Sequence, residues 1–340
     1  MRIATYNVEW FDHLFDKHGE FVDNHSWSGR YDVHKDEQIA ALLHVFSVLD
    51  ADAILVVEAP DSSRHRSGVK ALETFAKRAG IRANKALIGF KNDTQQELIL
   101  LYDPQVLSAV HDPQLGPRFD GTFQHDLNVD GQLERIEWSK PPLEAALQTV
   151  SGHKLRLIGV HAKSKAPHGA TNPTEVMRES IKNRRKQLAQ CLWLRERVEL
   201  HLAAGDDLIV LGDFNDGPGL DEYETLFGRS SVEVVLGEAQ GAGAQAAPEM
   251  RLYDPHAQAV LSRRGAAAYP ATARFKKRGQ KRFLSALLDY IMVSPGLRAG
   301  KPEWRIWHPF DDLECYENKA LCSALLTASD HFPVTLDIDF

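Results

Sequence analysis

What most constrains this chain is a recurrence: short apolar runs, spread from one end of the sequence to the other, each stop on a side chain capable of acid–base or ligand chemistry. The first run stops at Asn7, the run at 53–57 at Glu58, and the run at 155–160 at His161. The run at 208–211 stops at Gly212-Asp213-Phe214-Asn215, and Asp330-His331 stands just before the closing run at 334–338. Asp289 adds a further polar group inside the apolar stretch 287–293. Any one of these is ordinarily a cap or a satisfied polar core group. A convergent set is different, because several anions buried together are strongly unfavourable unless something cationic compensates them. Polar ends scattered from Asn7 to His331 meet only if strands from both ends of the chain share one core. One domain over 1–340 is therefore expected, and the length is enough to bury it well without staples.

Between these runs the hydrophobic period alternates. Residues 34–49 place Ile39, Leu42, Leu43, Phe46 and Leu49 on one helical face. A second helix is predicted over 69–79, and a long amphipathic one from Glu175 to about Leu202. Residues 3–10, 86–90 and 97–102 read as strands. Residues 111–137, rich in Asp, Gly and Gln, fit an irregular hairpin region, and the Gly/Ala-rich 237–248 fits a surface loop. No internal repeat or linker separates two cores.

Several classes are excluded or disfavoured. Cys191, Cys315 and Cys322 are the only cysteines, so there is no disulfide framework, and neither a CxxC nor an HExxH pair suggests zinc. No GxxxxGK[ST] loop supports NTP-driven phosphoryl transfer. No apolar run approaches the ~20 residues of a membrane span. The opening MRIATYNVEWF alternates like a strand rather than a signal sequence, so a cytoplasmic location without membrane attachment is expected. A net charge of −7, from 40 basic and 47 acidic residues, gives no overall positive field for nucleic acid, although a local basic groove would survive it. The donors in the recurrent set are carboxylate and amide oxygens, which suit a hard divalent ion, Mg²⁺ or Mn²⁺. Such a site suits a phosphoester, and two histidines meet the proton-transfer needs of in-line hydrolysis.

Taken in order, Asn7, Glu58, His161, Gly212-Asp213-Phe214-Asn215, Leu288-Asp289-Tyr290-Ile291 and Ser329-Asp330-His331 resemble the endonuclease/exonuclease/phosphatase family over essentially the whole chain. The combination is specific where each tetrad alone is not. The resemblance implies an α/β (α+β) four-layer sandwich, two mostly antiparallel sheets packed face to face with helices outside. It implies Glu58 as main metal ligand, with Asn7 and Asp330 beside it directly or through water. Asp213 and Asn215 would hold the attacking water and the phosphate. Asp289 would orient and charge-stabilise His331, the base or a phosphate-contacting imidazole; Asp213 and His331 both stay open as the group that takes the water's proton. His161, in His161-Ala162-Lys163-Ser164, resembles the second histidine of the deoxyribonuclease I and sphingomyelinase branches, which the repair branch lacks. Lys140-Pro141-Pro142 resembles an Arg-x-Pro segment near the scissile phosphate, with a point charge in place of a bidentate fork. Lys140 and Lys163 are therefore expected at the phosphate.

Two basic stretches bear on the substrate. Arg274, Lys276, Lys277 and Arg278 lie just before the Asp289 strand, and Arg178, Lys182, Arg184, Arg185 and Lys186 follow His161. Each reads either as a solvated surface or as a grip on a polyanion, with phosphate contacts giving affinity and salt dependence but little base specificity. Residues 12–35 carry His13, His18, His25 and His34 at spacings that are no ligand signature, and Trp27 and Tyr31, which either stack on a base or pack in the core. The leading expectation is a Mg²⁺- or Mn²⁺-dependent phosphodiesterase acting on nucleic acid, a nuclease of low sequence preference with no obligate protein partner evident. Its rival on the same fold is a phosphatase or phosphodiesterase for a small or lipid phosphoester; a lipid enzyme would show an exposed apolar hairpin or a secretion signal, and neither is legible. A catalytically silent binding module is the third reading.

Overall fold

Strands and helices follow one another where the hydrophobic period switches between two and about 3.6. The computed structural model describes residues 1–127, 132–167, 169–218, 228–239, 247–262, 270–276 and 282–340. Its first third runs β1 (Arg2–Asn7), α1 (Lys35–Leu49), β2 (Ala53–Ala59), α2 (Gly68–Ala79), β3 (Lys85–Ile88), β4 (Glu97–Tyr102) and β5 (Leu107–His111). A short hairpin, β6 (Phe123–His125) with β7 (Glu134–Ile136), precedes β8 (Leu143–Thr149), β9 (Lys154–His161), α3 (Pro173–Ala204) and β10 (Leu208–Asp213). Then come α4 (Ser231–Leu236), α5 (Pro255–Ser262), a second hairpin of β11 (Ala273–Lys276) and β12 (Phe283–Ala286), and β13 (Asp289–Val293). The chain closes with α6 (Pro295–Ala299), β14 (Glu303–Ile306), α7 (Leu313–Glu317), α8 (Lys319–Ala328) and β15 (Val334–Asp337).

The long helix is bounded by its caps. Asn172 accepts from the Glu175 amide, Pro173 occupies the first turn, and Gly205 ends it at φ 73. The first strand is shorter than its alternation predicts. It stops at Asn7 because Trp10, at φ 60, turns the chain into a short 3₁₀ segment that buries Phe11 and Leu14.

Two sheets result, ordered β14-β15-β1-β2-β4-β3 and β13-β10-β9-β8-β5. Among the described residues, only β1 with β2 and β9 with β10 pair in parallel; the other pairings in these sheets are antiparallel. Ile3, Leu55, Leu100 and Leu336 of one sheet pack on Leu143, Leu157, Ile209, Leu211 and Ile291 of the other. Outside the first sheet, Leu42, Phe46, Phe75 and Leu325 from α1, α2 and α8 cover Tyr6, Val56 and Ile99. Outside the second, Trp193, Leu194 and Val235 from α3 and α4 cover Ile158, Val210 and Met292. The result is helix, sheet, sheet, helix: the expected four layers. Each fully buried Leu or Ile contributes about 1.5–3 kcal/mol to holding them together.

The alternation of side chains fixes what stands between the sheets. Ile3 shares a face with Asn7, Leu157 with His161, Ile209 and Leu211 with Asp213, and Ile291 with Asp289. The inter-sheet layer is thus apolar along the strands and becomes polar at one end. Among the described residues, no helix is long and apolar enough to cross a membrane.

Candidate active site

At that polar end, hydrogen bonds tie the two sheets. Asn7 Nδ2 of β1 donates to Asp213 Oδ2 of β10 at 2.9 Å. Asp213 also accepts from the Asn215 amide at 2.7 Å and from Asn215 Nδ2 at 3.1 Å. The Gly-Asp-Phe-Asn tetrad follows from steric needs. A Cβ on Gly212, at φ 132, would lie 2.0 Å from the Val160 carbonyl oxygen, so only glycine fits. Phe214 is buried edge-on to Tyr290, with ring centroids 5.6 Å apart, which leaves Asp213 and Asn215 for the cleft.

The two remaining motifs are joined to each other and to β1. His331 Nδ1 donates to Asp289 Oδ2 at 2.8 Å. The Asp289 amide in turn donates to Thr272 Oγ1 at 2.9 Å. Ser329 Oγ donates to the Asn7 carbonyl at 2.7 Å and accepts from the His331 and Glu9 amides, both at 3.2 Å. The serine before Asp330-His331 is therefore a staple between the C-terminal loop and the end of β1.

Glu58 reaches the cleft through a β-bulge. The register of β2 against β4 shifts between Val57 and Ala59, and Glu58 stands at φ 58, a left-handed conformation that glutamate seldom adopts. Gln96 Nε2 donates to its Oε2 at 2.7 Å. His161 Nε2 lies 3.8 Å from Glu58 Oε1 and 3.7 Å from Asp213 Oδ2. Lys140 Nζ stands 3.1 and 3.3 Å from the two ring nitrogens of His161. These groups, with Asp330 and Lys163, line one cleft with a cavity volume of about 560 Å³.

The two histidines are driven to opposite charge states. Burial, then the Lys140 and His331 charges, hold His161 well below the ordinary imidazole range. Burial would lower His331 too, but Asp289, through charge and hydrogen bond, with Asp213 and Asp330 behind it, lifts it well above that range. At neutral pH the cleft therefore holds one neutral imidazole and one imidazolium. Burial raises Glu58, and it lifts Asp213 to about 7, where the His331 charge pulls the other way. Lys140 is lowered chiefly by burial, and Lys163 by burial and then by Lys186 and Lys182.

The structure brings Asn7, Glu58, Lys140, His161, Lys163, Asp213, Asn215, Asp330 and His331 to this cleft, with Asp289 behind His331. The basic stretch before β13 behaves differently. Phe275 lines the cleft, so its neighbours Arg274 and Lys276 stand on the other face of β11, over the rings of Phe283 and Tyr31 at 3.8 and 3.4 Å. Lys277 and Arg278 lie outside the described residues. On α3, Arg185 pairs with Glu134 and Lys182 with Glu179, while Lys186 donates to Ser139 Oγ at 3.2 Å. His13, His25 and His34 are engaged by Ser28, Asp36 and Glu37 respectively. Trp27 and Tyr31 are both 63% exposed and so are not core residues. Phe283 and Leu284 on β12 are 47% and 51% exposed, an apolar pair on a hairpin that the sequence did not reveal.

Sequence reasoning missed Glu9, Trp10 and Gln96, all cleft-lining. Burial, then the Asp330 charge, raises the Glu9 carboxyl to about 7 although Arg30 Nη1 donates to it at 2.5 Å. Glu9 continues the alternation of Asn7-Val8-Glu9-Trp10, so no local signal set it apart.

A hard cation fits the oxygen donors present. Asn7 commits its Nδ2 to Asp213, and its buried Oδ1 finds no hydrogen-bond partner. Glu58, Glu9 and Asp330 crowd negative charge beside it. One ligand atom each from Asp213, Asp289 and His331 also lies within 4.8 Å of the others; there His331 Nδ1 and Asp289 Oδ2 are spent on each other, while Asp289 Oδ1 has no hydrogen-bond partner. The Asn7, Glu58 and Asp330 oxygens line the cleft and could hold such a cation.

A face-to-face sandwich whose sheet ends carry clustered carboxylate and amide oxygens and a carboxylate-backed imidazole suits a phosphoester hydrolase. The chain belongs to the endonuclease/exonuclease/phosphatase family, whose sequence model matches residues 4–331. In structure it is similar to truncated TDP2 of Caenorhabditis elegans, at 14% identity and TM-score 0.50, over 100% of this chain and 97% of that one. It is also similar to an endonuclease/exonuclease/phosphatase family protein of Bacteroides thetaiotaomicron, at 16% identity and TM-score 0.50, over 100% and 95% of the two chains. At these identities the likeness is one of fold. No curated protein matches the sequence.

Proposed function

We propose that the whole chain acts as one catalytic domain, a Mg²⁺- or Mn²⁺-dependent phosphodiesterase whose substrate is nucleic acid, cleaved by in-line attack of water with little sequence preference. The observation that carries this reading is the meeting, in one cleft, of the Asp289-backed imidazolium of His331, the buried carboxylate of Asp213 and the unpartnered Asn7 Oδ1 beside Glu58. Asn7, Glu58 and Asp330 would hold the metal, which supplies neutralisation of charge on the non-bridging phosphate oxygens.

The remaining work falls to side chains. Asp213, at the end of β10 with Asn215 beside it, orients the water and takes its proton as the oxygen–phosphorus bond forms. His331, its Nδ1 committed to Asp289, turns Nε2 to the phosphate as a charged donor. As the bond from phosphorus to the departing oxygen breaks, neutral His161 holds that oxygen through a ring N–H, and the oxygen takes its proton from solvent. Lys140 and Lys163 add positive charge along the cleft, continued by Lys182 and Lys186 of α3, which suits a polyanion.

The test is incubation of the purified protein with plasmid, single-stranded DNA, RNA and bis-p-nitrophenyl phosphate, with and without EDTA. Metal-dependent cleavage of a polymer is expected; no cleavage of any would sink the reading. The exposed Phe283 and Leu284 favour a second reading, a lipid phosphoester as substrate. Turnover of phospholipid vesicles but not of polynucleotides would select it.

A further inference from the structure

Resting on that reading, we infer that Trp10 and Phe275 form an aromatic lip that takes a nucleobase flanking the scissile phosphate, so that the substrate is an unpaired nucleic-acid strand. Both residues line the cleft. Trp10 is 42% exposed, yet it is held firmly: it sits at φ 60, and its Nε1 donates to Glu9 Oε1 at 3.1 Å. Glu9 is anchored in turn by Arg30, and its carbonyl accepts from Gln38 Nε2 at 2.8 Å. Gly29 backs the indole so closely that a Cβ there would lie 2.8 Å from the ring, and the His13 ring centroid is 4.8 Å away. A large aromatic in a left-handed backbone conformation, immobilised but half in solvent at the mouth of an anion site, is placed for a flat partner.

The rim continues from Trp10 to the hairpin. Tyr31, two residues past Gly29, lies under Lys276 Nζ at 3.4 Å. The Arg274 amide donates to the Asp330 carbonyl at 2.6 Å, fastening β11 to the loop that carries His331. Phe275 pairs with Leu284 across the hairpin, so the two share the face turned to the cleft. Inside a duplex each base face is covered by its neighbours, whereas an unpaired strand offers faces for stacking. Between β11 and β12 the sequence reads Lys277-Arg278-Gly279-Gln280-Lys281, which suits a polyanion and opposes insertion into a bilayer core.

The experiment reads binding rather than turnover, which separates it from the activity it rests on. Fluorescence anisotropy in Mg²⁺, with the full chain carrying His331→Asn, compares a labelled short oligothymidylate with an abasic oligomer of the same length. The base-bearing strand should bind about tenfold tighter or better. Adding Trp10→Ala should erase the difference, and Trp10→Phe should keep most of it. Equal affinity for the two oligomers, or a preference untouched by Trp10→Ala, overturns the lip. If circular dichroism shows that Trp10→Ala does not fold, Phe275→Ala decides: it should reduce the preference severalfold, and an unchanged preference overturns the inference. Binding to phosphatidylserine vesicles with none to either oligomer overturns it too, and gives the hairpin to lipid. Failure of the wild type to cleave any phosphodiester would remove the proposed activity while leaving the binding comparison to be decided by its own result.

Discussion

The floor of the cleft and its rim are built in different ways. On the floor, Asn7, His161, Asp213 and Asp289 are at most 5% exposed; the first three end their strands and Asp289 begins β13. On the rim, Trp10 lines the cleft and is 42% exposed, and beyond it Tyr31, Phe283 and Leu284 are 47–63% exposed; they sit on a turn, a loop and a short hairpin. Moving a floor residue means unpacking two sheets; changing a rim residue disturbs only its neighbours. On the proposed function, chemistry and substrate choice would therefore be separable in this molecule, the first locked to the core and the second added over it.

The largest effect should come from the floor. His331→Ala and Asp213→Ala are each expected to lower kcat on a phosphodiester by about 10²–10⁴-fold, with circular dichroism unchanged. Near-wild-type turnover in either variant would break the distinction between floor and rim. Next in size is Gln96→Leu, which removes the 2.7 Å bond that fixes Glu58. Losing such a supporting bond should raise the Mg²⁺ concentration for half-maximal rate by about 10-fold or more, with little change in KM. A raised KM at unchanged Mg²⁺ dependence would move Gln96 to the rim.

A pH test sharpens the contrast within the floor itself. His331 is lifted above its ordinary value, so activity that needs the imidazolium falls as pH rises through the native value, and Asp289→Asn should bring that fall to lower pH. Linkage gives the two histidines opposite signs in stability. His331 contributes stability fully present below the unfolded value of about 6.5 and lost as pH rises through its native value. His161, held low, contributes stability present above about 6.5 and lost as pH falls. Thermal melts of His161→Gln against wild type should therefore converge as pH is lowered from 7 to 5; parallel curves would contradict the neutral assignment. The smallest effect belongs to charge at the rim. Lys163→Gln should reduce the slope of log affinity for a single strand against log salt by about 0.7; an unaltered slope would remove Lys163 from the phosphate path.

Much of the floor is legible in the sequence because strand periodicity is local. Ile209, Leu211 and Asp213 must share a face whatever the rest of the chain does. The end of β1 shows the opposite case. Alternation carries the strand to Trp10, and nothing in Asn7-Val8-Glu9-Trp10 announces a left-handed tryptophan, which is fixed by Ser329 and Gly29 from distant parts of the chain. The bulge at Glu58 is hidden for the same reason, since no glycine marks it. In the hairpin the sequence shows the charges of Arg274 and Lys276, but not that Phe275 between them is the one to line the cleft.

By itself the sequence determined the order of strands and helices, the residues that close each apolar run and hence the family. The tertiary structure decided which of those ends touch, and with what charge. Asn7 and Asp213 bond across 206 positions, and the two histidines part company only because one is buried against a lysine and the other against an aspartate. Hydrophobic period acts over a few residues and can be read along a chain; desolvation and Coulomb interaction act through space, and only the folded arrangement sets them.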